Sequence, residues 1–176
     1  MERITNNDFT IQGVCSLDLI LTNNSKNVIV ELYNCNNDEF DFFLWEQNII
    51  NFNNSCQNED ENGIIDSLLS LSKQLENKDD LIAPFIDPIE NSDFYNNSRS
   101  CFSSDNDIII ECLMKLFSIM AFISSDCVSS ICQSGVLSFI MDNFNRRLNS
   151  NIPYSPNIVK YFFDLSGYIC QDCPNG

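Results

Sequence analysis

The sequence contains no histidine. That removes the commonest general base, the Ser/His and Cys/His nucleophile pairs, and the commonest metal ligand. Lysine and arginine are scarce, 9 against 25 Asp and Glu, for a net charge of −16. A chain this acidic repels phosphate backbones and anionic lipid, so nucleic acid and membrane surfaces are poor partners. Glycine is sparse at 5, and no Gly-rich phosphate loop, calcium-loop spacing or nucleophile elbow occurs. No apolar run reaches about 18 residues free of polar breaks, and no basic stretch with an apolar core opens the chain. These absences point away from catalysis, cofactors and metal. They are read as a soluble protein of the cytoplasm or nucleus.

What is present is enough to fold. The chain has 176 residues, 44% of them hydrophobic, with 14 Phe that need burial. Nine cysteines are scattered through it. Cys112, Cys127 and Cys132 fall in helical apolar patterns, where a free thiol acts as a small hydrophobe. That usage fits a reducing compartment. Asparagine is abundant and often paired, as at Asn6-Asn7, Asn53-Asn54 and Asn96-Asn97. We read this as the coding bias of an AT-rich, protist-like genome spilling into loops.

Residues 107–144 are the most apolar stretch. Asp107 reads as the N-cap of a long helix. Ile109, Cys112, Leu113, Leu116, Met120 and Ile123 form its stripe, and Phe117, Ile119 and Phe122 widen it. A helix apolar over most of its circumference needs neighbours on both sides. Glu111 and Lys115 form an i,i+4 pair on its polar side. Ser124-Ser125-Asp126 breaks it, Cys127–Gln133 is a short helix, and Gly135 separates that from a helix over 136–148. Ser155-Pro156 opens another helix, with Pro at its first position. Upstream, Gly63–Glu76 is a clean amphipathic helix, and 40–52 has helical apolar spacing and carries Trp45. Residues 1–8 read as frayed. Residues 9–35 fit either helix or strand. Residues 77–106, rich in acid, Ser and Asn and holding Pro84 and Pro88, read as a disordered acidic insertion. Asp79, Asp80, Asp87, Glu90 and Asp93 within it read first as a solvated loop and second as a dock for a basic segment.

The glycine-led helices align. Gly135-Val136-Leu137 through Met141 matches Gly63-Ile64-Ile65 through Leu69 in its glycine and its apolar positions, and Gly13-Val14-Cys15 is a weaker copy. Leu116–Met120 aligns with Leu165–Ile169, with Leu44–Ile49 a looser relative. The order repeats: short helix, Gly, middle helix, loop, long helix, with a period in the 40s. This resembles the armadillo repeat, most closely over residues 126–170. The resemblance implies an all-α fold, a short right-handed superhelix of about three imperfect repeats. Residues 9–76 would hold the first unit and the start of the second, and 107–176 the remainder. It also implies a protein-interaction role, through a groove formed by the helices at 40–52, 107–123 and 156–170. The partner would be a protein segment, extended or Lys/Arg-rich. No polar capping helix is visible after Ile169. The alternative is therefore a structural piece of a larger helical scaffold, or an adaptor of the nuclear-transport type, with end-to-end contacts through uncapped repeats.

The candidate binding residues are Trp45, Asn48, Glu111, Lys115, Ser118, Lys160 and Asp164. Nuclear-import adaptors of the armadillo family line their groove with Trp-x-x-x-Asn. Here the spacing is Trp-x-x-Asn, and the matching positions on the other long helices are Ser118 and Gly167. The peptide-binding ladder therefore does not carry over, and Trp45 reads more simply as a core or interface aromatic. Cys170-x-x-Cys173 lacks a second half for zinc, because Cys127 and Cys132 point about 140° apart on a helix. No metal, cofactor or catalytic residue is assigned.

Overall fold

The long apolar helix forms where its stripe places it, over Asp107–Ile123, and ten of its residues are buried. In the computed structural model, the described residues are 40–76 and 85–172. The expectations for residues 1–8, for 9–35 with Gly13, for 77–84 with Asp79 and Asp80, and for Cys173 fall outside them. Residues 43–176 form one compact unit, and residues 1–42 another, of which only 40–42 are described.

Eight helices occur among the described residues. They are α1 (Phe42–Gln57), α2 (Glu61–Leu75), α3 (Asp87–Glu90), α4 (Phe94–Phe102), α5 (Asp107–Ile123), α6 (Ser125–Gln133), α7 (Val136–Ser150) and α8 (Pro156–Asp172). No strand occurs among these residues.

The helices stack at an interval of three. α5 lies between α2 and α8, and α4 packs on α7. α1 meets α4 through the Phe52 and Phe94 rings, 4.8 Å apart, and through a bond from Asn97 to Asn53 of 2.8 Å. The result is two rows, α1–α4–α7 and α2–α5–α8. Side-chain bonds between successive members of a row join residues 39 to 46 apart in sequence. The N-cap region repeats its bonding. Asn106, before α5, donates to Glu61 of α2, and Ser155 and Asn157, at the start of α8, donate to Glu111 of α5.

Local signals explain the joints. Asn106, not Asp107, caps α5, accepting from the backbone N–H of Ile108 and Ile109. Asp107 instead pairs with Arg147. Ser124 ends α5 and caps α6, its hydroxyl accepting from Asp126 N–H at 3.1 Å. Gly135 sits at φ +76°, ψ +4°, the left-handed region that glycine enters without steric cost.

The expected disordered insertion is corrected over residues 85–106. These residues fold, with Phe85, Ile89, Phe94 and Ser98 fully buried and Phe102 nearly so. The Phe94 ring lies against Phe52, Tyr95 and Phe117. α4 then receives a polar clamp from α7. Asn143 donates to Phe102 O, Arg146 to Ser103 O and Ser104 O, and the buried Arg147 to Asp105 O. Donors and cations at the negative end of a helix satisfy carbonyls that lack intrahelical partners.

The expected alignment of helices is also corrected. Gly63 lies inside the first turn of α2, and a Cβ there would collide with Ser55 Oγ and the Asp60 carboxylate. Its glycine serves close approach rather than a left-handed turn, so it does not correspond to Gly135. Packing places α2 in the row of α5 and α8 and α1 in the row of α4 and α7. Apolar period and a single glycine do not distinguish a middle helix from a long one; only the neighbour does.

Candidate partner-binding face

The row α2–α5–α8 turns one stripe of each helix to solvent. On α5 the stripe is Ile108, Glu111, Lys115, Ile119 and Phe122, spaced by three and four residues as one helical face requires. Ile108 is 60% exposed and Phe122 59%, which is unusual within a helix otherwise so buried. On α2 the matching stripe is Asn62, Asp66, Leu69, Lys73 and Glu76; on α8 it is Asn157, Lys160, Asp164, Gly167 and Tyr168.

Contacts join the three stripes. Lys115 on α5 pairs with Glu76 at 2.7 Å. Glu111 accepts from Ser155 at 2.7 Å and from Asn157 at 2.8 Å. The Phe122 and Tyr168 rings lie 5.7 Å apart. The expected Glu111–Lys115 pair along α5 is thus replaced by bonds to α8 and α2. Partners 39 to 46 residues away are geometrically better placed than the i,i+4 neighbour.

Lys115 and Lys160 of this face are each paired with a carboxylate. The bond to Glu76, helped by that carboxylate's charge, raises the pKa of Lys115 above the ordinary lysine value. The same interaction with Asp164, at 3.0 Å, raises that of Lys160. A lysine held protonated in this way is a poor base and a poor nucleophile. The three stripes together with Glu61 carry five carboxylates (Glu61, Asp66, Glu76, Glu111 and Asp164) and three lysines.

Four of the seven candidate residues lie on this face: Glu111, Lys115, Lys160 and Asp164. The other three do not. Trp45 is fully buried, its indole N–H donating to Phe85 O at 2.8 Å, with the two rings edge to face. Asn48 and Ser118 are buried as well. The expected groove over 40–52, 107–123 and 156–170 is corrected accordingly, because α2 rather than α1 flanks α5 in this row. Glu76, Ile108, Phe122, Asn157 and Tyr168 also lie on this face, outside the seven candidates. The signal for two of them was present: Ile108 and Phe122 lie four helical turns apart on the stripe that holds Glu111 and Lys115.

The described cysteines differ in their surroundings. Cys127 is fully buried, and burial pushes its thiol up to about 12. Cys132 is half-buried and Cys170 exposed. Among the described residues no group of three or more Cys, Asp or Glu is placed to hold an ion, and no helix is long and apolar enough to cross a membrane.

Comparisons with family models, with curated proteins and with solved structures give no match.

Proposed function

We propose that this chain is a non-catalytic protein-interaction module, a short armadillo-like right-handed superhelix whose α2–α5–α8 face receives a partner segment. The observation that carries the reading is the set of exposed apolar side chains, Leu69, Ile108 and Phe122, among charged residues on three side-by-side helices. Such a face offers a hydrophobic anchor with a polar rim. The partner is an extended segment with Lys or Arg flanking apolar residues. The apolar residues would meet Ile108 and Phe122. The basic ones would meet the carboxylates of the face and the field of a chain with net charge −16.

Titration of a fluorescent peptide that alternates basic and apolar residues tests this by anisotropy. Binding is expected to weaken about tenfold or more on Phe122→Asp, and to weaken as salt rises from low to physiological. Affinity indifferent to both changes would contradict the proposal.

A second reading is favoured by a separate observation. α8 buries only Ile158 and Leu165, leaving Phe163 66% exposed, and Leu148 of α7 is 69% exposed. In this reading the chain is a piece of a larger helical scaffold, and α7–α8 stack on another helical layer. Sedimentation would then show self-association that Phe163→Glu abolishes. A monomer at high concentration would count against it.

A further inference from the structure

We propose that Cys56 and Cys101 form a reversible disulfide that locks α1 to α4. Cys56 lies in the last turn of α1 and Cys101 in the last turn of α4, 45 residues apart in sequence. Their sulfurs are 3.9 Å apart and share a hydrogen bond. A disulfide requires about 2.05 Å. Phe52 and Phe94 already hold the two helices together, so the pair is kept close as the remaining gap closes.

The surroundings of the pair differ from those of the other buried thiols. Cys112 and Cys127 are held protonated by burial. In the pair, the hydrogen bond from Cys56 stabilises the thiolate of Cys101 and lowers its pKa, while that of Cys56 rises. Cys56 is only half-buried, which opens the pair to a small oxidant. A peroxide supplies the oxidising equivalents. The Cys101 thiolate attacks one peroxide oxygen, the O–O bond breaks, and the hydroxide that leaves takes up the proton Cys101 had released, forming water. The Cys56 sulfur then attacks the sulfenic sulfur; the S–O bond breaks, and the departing hydroxide takes the Cys56 proton as water. Two thiols lose two electrons to one peroxide, and two waters form. A dithiol reductant reverses the change.

The consequence is a covalent tie between two successive members of the α1–α4–α7 row. Closing this loop restricts the unfolded chain. The melting temperature of the oxidised protein is expected to rise by roughly 5–10 °C.

The test uses the whole chain. It is treated with hydrogen peroxide, alkylated with iodoacetamide, digested without reduction and mapped by mass spectrometry. A linked Cys56–Cys101 peptide is expected, with a rise in Tm that dithiothreitol reverses. Cys56→Ser should remove both. Because Cys56 is half-buried, this variant is the one to use, with circular dichroism confirming its fold; Cys101→Ser disturbs a buried site. Recovery of both residues as alkylated thiols, linkage to other cysteines, or a linked peptide that forms only in urea would overturn the proposal.

Discussion

Arg147 carries a charge into the interior, and its surroundings account for it. Its guanidinium pairs with Asp107, donates toward Asp105 O and lies 4.7 Å from the Tyr154 ring centroid. Buried charge is tolerated only when paired and hydrogen-bonded. Asp107 is half-exposed and can rehydrate if its partner goes. Arg147→Ala should therefore cost about 2 kcal/mol rather than the full buried-pair penalty. Thermal melts should show a fall of roughly 4–8 °C. Lys160→Ala, which removes a solvent-exposed i,i+4 pair, should leave Tm essentially unchanged.

Protonation acts at the same scale. Folded Cys127 keeps its proton to about pH 12, whereas its ordinary value is 9.0. Between those values the native state binds more protons than the unfolded state, so stability falls as pH rises. Below pH 9 the thiol is neutral in both states and contributes no slope. Lys115, whose pKa is raised by Glu76, acts in the same direction: its stabilisation is present below 10.5 and is lost as pH rises through its folded value. Tm should decline as pH rises above about 9, and Cys127→Ala should make the decline shallower. The partners of Glu111 and Lys115 were not legible in the sequence, because a side chain's choice between a neighbour four residues away and one 39 to 46 away is made by packing.

Among the elements, legibility followed the punctuation. The joints around α5, α6, α7 and α8 could be read because the apolar period is intact and Ser124, Gly135 and Pro156 mark the breaks. α4 could not. Its buried face includes Ser98 and Cys101 beside Phe94 and Phe102, so its composition resembles a loop although its spacing is helical. What holds it is placement against α1 and α7, and α7's clamp on its C-terminal carbonyls. Two glycines separate conformational need from tolerance. Gly135→Ala forces a side chain into φ +76° and should destabilise by about 1–2 kcal/mol. Gly167 lies within α8 with nothing within 4 Å of an added Cβ. Gly167→Ala should therefore stabilise by about 0.5–1 kcal/mol. Chemical denaturation of the two variants should move their midpoints in opposite directions.

At the scale of the whole molecule, the recurrent interval is the organising fact. Within the rows α1–α4–α7 and α2–α5–α8 successive helices pack together, and the bonds between them span 39 to 46 residues. The helical character of the described residues was visible in the sequence. Which helices share a row was not, since that depends on the folded 85–106 segment supplying α3 and α4. With α2 rather than α1 beside α5, the candidate face holds Leu69, Ile108, Phe122 and the charges between them, while Trp45 and Asn48 are buried. The claim that this face takes a basic, apolar-anchored segment is tested most directly by amide NMR on the isotopically labelled chain, titrated with such a peptide. The account predicts shift changes confined to the outward stripes of α2, α5 and α8, centred on Leu69, Ile108, Lys115, Phe122 and Tyr168. Changes centred instead on Leu148 and Phe163, or none at saturating peptide, would contradict it.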